Sequence, residues 1–116
     1  MTCENEIQIN GETYIKKGTL TISKDVVLVR TYSAGVHFGE LVKRNGKEVT
    51  LKNARRVFYW DGAATLSQLA VDGTSNPTKC KFPCSVPEIT LTEVIEIIPM
   101  TIKAIKSLNG VAIWAK

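Results

Sequence analysis

The chain has 116 residues, 44% of them hydrophobic, which is enough for one domain with one core. Its 15 Lys and Arg residues against 11 Asp and Glu give a net charge of +4, a mild excess that permits an anionic partner but also occurs on ordinary solvated surfaces. No apolar run reaches the length of a transmembrane helix, and the acidic start MTCENEIQIN is unlike a secretory signal. We therefore predict a single domain over residues 1–116, with a cytoplasmic location and no membrane partner.

The three cysteines, Cys3, Cys80 and Cys84, are an odd number in a chain for which no export is predicted, and reduced thiols are expected. By number alone, they and His37 would complete a four-ligand zinc set. The C-x3-C spacing fits no familiar zinc knuckle, and His37 lies inside a predicted strand. We expect neither a metal site nor a cofactor.

Residues 24–60 predict a central antiparallel hairpin. The segments 24–32 and 36–44 are rich in β-branched residues, which favour strands. Asn45-Gly46 is typical of a type I′ hairpin turn, after which 47–60 returns antiparallel.

Three other features belong to this half of the chain. A polar lead-in, 1–12, predicts a short strand around residues 7–9, and 13–22 favours a further strand with a turn or bulge. Asn53-Ala54 predicts a bulge or bend in the returning strand.

The second half of the chain begins with helical periodicity. Residues 62–72 predict a helix with Asp61 as its N-cap and Gly73 at its end. The composition of 74–83 is that of a loop.

Residues 84–116 predict a strand, a helix and a strand. The hydrophobic residues of 84–99 fit both a helical and a strand periodicity, but the β-branched residues favour a strand. A short helix capped by Thr101 follows over 100–110, and 111–115 predicts a terminal strand.

These elements predict a mainly β protein with two short helices, of the α+β class. The sheet would be either a small, strongly bent antiparallel sheet or an SH3-like barrel.

Catalytic motifs are missing from the sequence. It contains no nucleophile elbow, phosphate-binding loop or metalloprotease motif, and acid–base chemistry by histidine would depend on His37 alone. We expect a protein that is not an enzyme.

The small residues after the first strand of the hairpin form the first candidate site. Backbone N–H groups at Tyr32, Ser33, Ala34 and Gly35 could hold an anion, with hydroxyl groups beside them. The alternative is a glycine-bearing bend that only curves the strand.

Arg55 and Arg56, next to Phe58, Tyr59 and Trp60, form the second candidate site. Guanidinium groups bind phosphates and aromatic faces stack on bases. Neighbours in a strand face opposite ways, so the two arginines need a bulge to reach one ligand. The alternative is that the aromatics are core anchors with the arginines at the rim.

Three stretches carry a resemblance to a known family: VLVRTYSAGVHFGEL, GKEVTLKNARRVFYW and VPEITLTEVIEIIP. They resemble a family of small, uncharacterised proteins encoded by tailed bacteriophages. The resemblance implies a phage protein acting in the cytoplasm of an infected bacterium, and it implies no activity. The hairpin also faintly resembles SH3-like and Sm-like barrels, although a predicted helix follows Trp60 where such a barrel turns sharply.

In size and make-up the chain resembles phage sponges that capture nucleotide signals of bacterial immunity. That resemblance implies a homo-oligomer that binds a small anionic ligand such as a cyclic nucleotide. The turn at 32–35 would hold phosphates, Arg55 or Arg56 would add charge, Tyr59 or Trp60 would stack a base, and His37 would donate or accept a hydrogen bond. A nucleic-acid-binding module and a protein–protein inhibitor or virion-associated adaptor are the alternatives.

Overall fold

The computed structural model describes residues 21–115. It contains one five-stranded antiparallel sheet in the order β4-β3-β2-β1-β5 and two α-helices. The elements are β1 (Ile22–Thr31), β2 (Val36–Asn45), β3 (Glu48–Val57), α1 (Leu66–Asp72), β4 (Val86–Leu91), β5 (Val94–Thr101) and α2 (Ile102–Asn109). The mainly β, α+β prediction is confirmed. The strands predicted before residue 21 lie outside the described residues.

The hairpin between β2 and β3 is present, but its turn differs from the predicted one. Asn45 pairs with Glu48, so the two central residues are Gly46 and Lys47. Gly46 has a φ of 62°, and Lys47 is not among the residues with positive φ. A positive φ at the first central residue alone is the pattern of type II′, which requires glycine at that position.

The bulge predicted at Asn53-Ala54 is confirmed. Phe38 pairs with Arg55 and Glu40 with Lys52, so residues 53 and 54 stand opposite Gly39 alone. Asn53 takes a φ of 51°, a left-handed conformation that asparagine tolerates better than most residues. Glycine is needed opposite because a Cβ there would lie 2.9 Å from the Ala54 Cα.

The single strand predicted over 84–99 is in fact two strands, β4 and β5, at opposite edges of the sheet. Only Thr92 and Glu93 lie between them, and so short a link spans about 10 Å. The edges of a flat five-stranded sheet would be about 19 Å apart. The sheet must therefore curve, although it stays open because β4 and β5 are not neighbours in it; the SH3-like barrel stays a prediction.

Apolar side chains are buried on both faces of the sheet. One face packs against the two helices, while the other forms a second cluster. The helix-side cluster includes Leu28, Phe38, Val57, Leu69, Phe82, Met100 and Leu108. The second cluster includes Val27, Val29, Val49, Leu51, Ala54, Leu91 and Val94. Because neighbours in β1 alternate, Leu28 and Val29 contribute to different clusters.

Helix α1 begins later than the sequence predicts, and Asp61 is not its N-cap. Gly62 has a φ of 86°, which is incompatible with a right-handed helix starting there. The N-cap is Thr65, whose hydroxyl accepts a hydrogen bond from the Gln68 N–H, and Gly73 ends the helix as predicted.

The C-terminal region agrees with the sequence in part. Thr101 caps α2 as predicted. The predicted terminal strand over 111–115 is wrong, because only Ile113 forms a bridge, to Phe82, and it is isolated. The loop over 74–83 contains a short 3-10 helix, Pro77–Lys79.

Two features are absent from the described residues, a membrane-spanning helix and a group of metal ligands. None of the helices in 21–115 is long and apolar enough to cross a membrane. Within the same range, no three His, Cys, Asp or Glu side chains are grouped as metal ligands.

Candidate ligand-binding surface

Both candidate sites lie at the same end of the sheet. Val36, the first residue of β2, pairs with Val57, the last residue of β3. The turn over 32–35, which precedes Val36, therefore lies beside the segment that follows Val57.

The turn over 32–35 is held by hydrogen bonds to its own backbone. The Thr31 hydroxyl accepts from the Ala34 N–H and donates to the Gly35 carbonyl, each at 2.8 Å. The Thr31 N–H donates to the same carbonyl at 3.0 Å. Gly35, with a φ of 85°, supplies the left-handed conformation that closes the loop.

Residues of neighbouring segments form hydrogen bonds with further polar groups of this turn. The Tyr32 N–H donates to the Glu93 carbonyl, and the Ser33 hydroxyl donates to the Glu93 carboxylate at 2.8 Å. Arg56 donates from Nη1 to the Ala34 carbonyl at 2.7 Å. A carboxylate beside the turn disfavours an anion there. The anion cradle stays a prediction, and these contacts do not strengthen it.

His37 lies on the face of the sheet away from the helices, and its side chain is only 1% exposed. Neither ring nitrogen has a hydrogen-bond partner among the residues that the structure describes. Burial, and then the nearby positive charge of Arg56, lower the His37 pKa to about 4. The imidazole is therefore neutral near pH 7 and lies beneath the surface.

Arg55 and Arg56 face opposite sides of the sheet, since Arg55 pairs with Phe38 and Arg56 with His37. Arg55 is buried on the helix side, where its guanidinium donates to three backbone carbonyls. Arg56 is exposed. The structure thus brings Arg56 together with the turn and with His37, and it separates Arg55 from them.

The segment after β3 contributes two exposed rings to a cluster that also contains the half-buried Trp114 ring and one lysine. Phe58 stacks on Trp114, with ring centroids 5.0 Å apart and planes inclined by 13°. Tyr59 forms a bridge with Lys81, whose ammonium nitrogen lies 5.9 Å from the Tyr59 ring centroid and 5.7 Å from that of Trp114. Phe58 is 59% exposed and Tyr59 50%. We call Phe58, Tyr59, Lys81 and Trp114 the aromatic–lysine surface.

Of the predicted stacking residues, Tyr59 belongs to this surface and Trp60 does not. The Trp60 ring packs against the helix-side cluster, and its indole N–H donates to the Ala63 carbonyl at 3.2 Å. Sequence reasoning gave no role to Lys81, because a single lysine in a loop carries no signal. Trp114 lies in the segment 111–115, for which the sequence predicted only a terminal strand.

This surface has the chemical features for binding a flat, anionic ligand. Exposed aromatic rings stack on planar groups such as nucleobases, with little dependence on which base is present. The Lys81 ammonium lies beside the rings and can donate to a phosphate. Rings that bracket a cation also limit its side-chain freedom, which lowers the entropic cost of that contact.

Comparison with known proteins places the chain in a family but gives no activity. A family model described as a domain of unknown function (DUF6948) matches residues 24–108. Neither the curated proteins nor the solved structures gave a match. The matched range contains all five strands except the first two residues of β1, and most of α2. The chain therefore belongs to the DUF6948 family.

Proposed function

We propose that this protein is a non-enzymatic binding protein for a small anionic ligand with a planar base, of the nucleotide class. The observation that supports it is the aromatic–lysine surface, where the exposed ring of Tyr59 lies beside the ammonium of Lys81 and the exposed ring of Phe58 stacks on Trp114. Stacking would supply affinity, and Lys81 would pair with a phosphate. This site includes Tyr59 from the sequence prediction and replaces the turn at 32–35 as the main contact.

The proposed biological role is that of a phage-encoded sponge in the host cell cytoplasm. By sequestering a nucleotide immune signal, the protein would act against bacterial defence. The resemblance of its sequence to small phage proteins supports this role. A homo-oligomer would let two copies enclose a ligand that one exposed surface only partly covers.

Single-stranded nucleic acid is the second candidate ligand. It is favoured because the rings are open to solvent, and a strand can lie across an open surface. Such binding would weaken steeply as salt concentration rises, because several phosphates would release counterions. A lone nucleotide with one or two phosphates would show a shallower salt dependence.

The test is a titration of the full chain with AMP, ADP-ribose, a cyclic dinucleotide and an eight-residue oligothymidylate. Isothermal titration calorimetry would give affinities, and native mass spectrometry would give the number of protein and ligand copies. We expect Lys81→Ala to weaken nucleotide binding about tenfold or more, as the loss of a charge-assisted hydrogen bond predicts. Tyr59→Ala should cost about 1–3 kcal/mol of binding free energy through lost stacking.

Lys79→Ala is the matched control, since Lys79 is exposed two residues away in the same loop and no ring contact of it is described. It should bind like the wild type. Tight binding of the oligonucleotide alone would support the second candidate. Absence of binding to every ligand, or equal losses in the Lys79 and Lys81 variants, would reject the aromatic–lysine surface as a nucleotide site.

A further inference from the structure

Lys81 and Trp114 belong to separate segments of the chain, and their relative position depends on residues 81–83, a segment that begins with Lys81, the bridge partner of Tyr59. Lys81 is fixed by two backbone hydrogen bonds to Tyr59, at 2.8 and 3.2 Å. Trp114 is fixed by its backbone N–H, which donates to the Phe82 carbonyl at 2.9 Å. The segment 81–83 is therefore the support on which both halves of the aromatic–lysine surface rest.

Arg55 holds this segment from beneath. Its Nε donates to the Pro83 carbonyl at 2.8 Å, and its Nη2 donates to the Phe82 carbonyl at 3.1 Å. The guanidinium carbon also lies 5.4 Å from the Phe82 ring centroid. The Phe82 carbonyl thus accepts from both Arg55 and Trp114, using both of its lone pairs.

The same guanidinium reaches the chain that leads to Trp114. Its Nη1 donates to the carbonyl of Leu108, in the last turn of α2, at 3.3 Å. Carbonyl groups at the C-terminal end of a helix carry partial negative charge, which favours a cation there. One planar group therefore connects the segment that carries Lys81 to the helix from which the segment with Trp114 departs.

We infer that Arg55 is the positioning residue of the aromatic–lysine surface, because its guanidinium sets the spacing between Lys81 and Trp114. The inference rests on the proposed function for its consequence in binding, but the positioning itself is a property of the free protein. A lysine cannot replace it, because an ammonium is compact and lacks the rigid planar fork that reaches three carbonyls.

The first measurement concerns the protein without ligand. Lys81 lies close to two aromatic rings, so ring currents should move the NMR signals of its side-chain methylene protons upfield. In Arg55→Lys we expect most of this shift to disappear while the spectrum stays that of a folded protein. Arg44→Lys is the control, because Arg44 also donates to a backbone carbonyl, that of Gly46, but at the exposed hairpin tip. Its Lys81 signals should not change.

The second measurement is a double-mutant cycle on binding of the nucleotide that binds most tightly in the titration above. If Arg55 acts through Lys81, Lys81→Ala should lower the affinity about tenfold in the wild type and less than threefold in Arg55→Lys. A role of Arg55 in stability alone would leave the Lys81→Ala effect tenfold in both backgrounds, at a temperature where both proteins are fully folded.

The outcomes separate the two proposals. If the ring-current shift is lost in Arg55→Lys but the wild type binds no nucleotide, the positioning role is supported and the proposed function is rejected. An unchanged shift in Arg55→Lys would overturn the positioning role, even if the wild type binds nucleotides. If Arg55→Lys fails to fold, Arg55→Met and Arg55→Gln provide unbranched, uncharged side chains for the same two measurements, and retention of the shift in either would overturn it equally.

Discussion

A buried, neutral histidine makes the stability of this fold depend on pH. The imidazole of His37 is enclosed in the sheet, and burial together with Arg56 lowers its pKa from 6.5 to about 4. In the unfolded chain the same group titrates near its ordinary value. Between these two values the unfolded state binds more protons than the folded state, so the folded state loses stability as pH falls.

We predict that the free energy of unfolding decreases between pH 6.5 and pH 4, by up to about 3 kcal/mol from this group. Above pH 6.5 the group contributes no slope, and below pH 4 its loss is complete. Urea denaturation at pH 7, 5.5 and 4.5 measures the effect. His37→Leu removes the titrating group, so the difference between the two proteins isolates it from the carboxylates. Parallel pH profiles for both proteins would contradict the assignment.

Gly39 has a steric rather than a conformational reason to be glycine. Its φ is not in the left-handed region, but an added Cβ would lie 2.9 Å from the Ala54 Cα and 3.0 Å from the Lys52 carbonyl oxygen. Both are backbone atoms of β3 in or next to the bulge, and backbone cannot move aside as a flexible side chain can. The bulge in β3 and the glycine in β2 therefore require one another.

We predict that Gly39→Ala lowers the free energy of unfolding by about 1–3 kcal/mol, the usual cost of overpacking. Gly46→Ala is the comparison, because an added Cβ there meets nothing within 4 Å and only the positive φ opposes it. Its cost should be about 1 kcal/mol. Chemical denaturation of both variants compares the two causes, and an equal or smaller loss at Gly39 would refute the steric account.

At the scale of elements, the two helices are held by threonine caps in different surroundings. The hydroxyl of Thr101 accepts from the Ala104 N–H and donates to the Val71 carbonyl at 2.6 Å, which connects α2 to α1. Thr101 is buried. The Thr65 hydroxyl accepts only the capping bond among the contacts described, and Thr65 is exposed.

We predict that Thr101→Ala lowers the free energy of unfolding by about 2–3 kcal/mol, because it removes a cap and leaves the half-buried Val71 carbonyl with one partner fewer. Thr65→Ala should cost about 1 kcal/mol, the typical value for an N-cap alone. Thermal unfolding followed by circular dichroism measures both. Equal losses would mean that the contact of Thr101 with α1 adds nothing to the cap.

Local signals predicted most of the elements, and their failures have local causes. The hairpin, the bulge at Asn53-Ala54 and the cap at Thr101 follow from turn, bulge and capping chemistry. The predicted start of α1 was wrong because Gly62 takes a positive φ, which the periodicity of the following residues does not reveal. The split of 84–99 into two strands was missed because Thr92-Glu93 carries none of the usual turn residues.

At the scale of the whole molecule, the candidate site is assembled from segments that are distant in the sequence. The sequence therefore revealed only part of it. Phe58 and Tyr59 stand next to one another, so their aromatic character was visible. Lys81 joins them through an isolated bridge to Tyr59, and Trp114 joins them through a ring stack on Phe58 and one backbone hydrogen bond to Phe82, all between distant segments. Contacts of that kind have no period and no motif. The same is true of Arg55, whose three carbonyl partners come from two segments.

The two apolar clusters share one sheet, and this predicts how the molecule unfolds. Leu28 belongs to the helix-side cluster and Leu51 to the other, and both are almost completely buried. Both clusters pack against the same strands, so a strand that leaves the sheet exposes its side chains on both faces. Neither cluster can therefore unfold alone. We predict that Leu28→Ala and Leu51→Ala each lower the free energy of unfolding by about 2–5 kcal/mol.

Both variants should also keep a single cooperative transition. Far-ultraviolet circular dichroism reports the sheet, and tryptophan fluorescence reports Trp60 and Trp114 on the side of the helices and the aromatic–lysine surface. In urea the two signals should have the same midpoint in the wild type and in each variant. If Leu51→Ala shifted the circular dichroism midpoint and left the fluorescence midpoint in place, the second cluster would be a separate unit. The sheet would then not couple its two faces, and the helix side would hold the aromatic–lysine surface in place by itself.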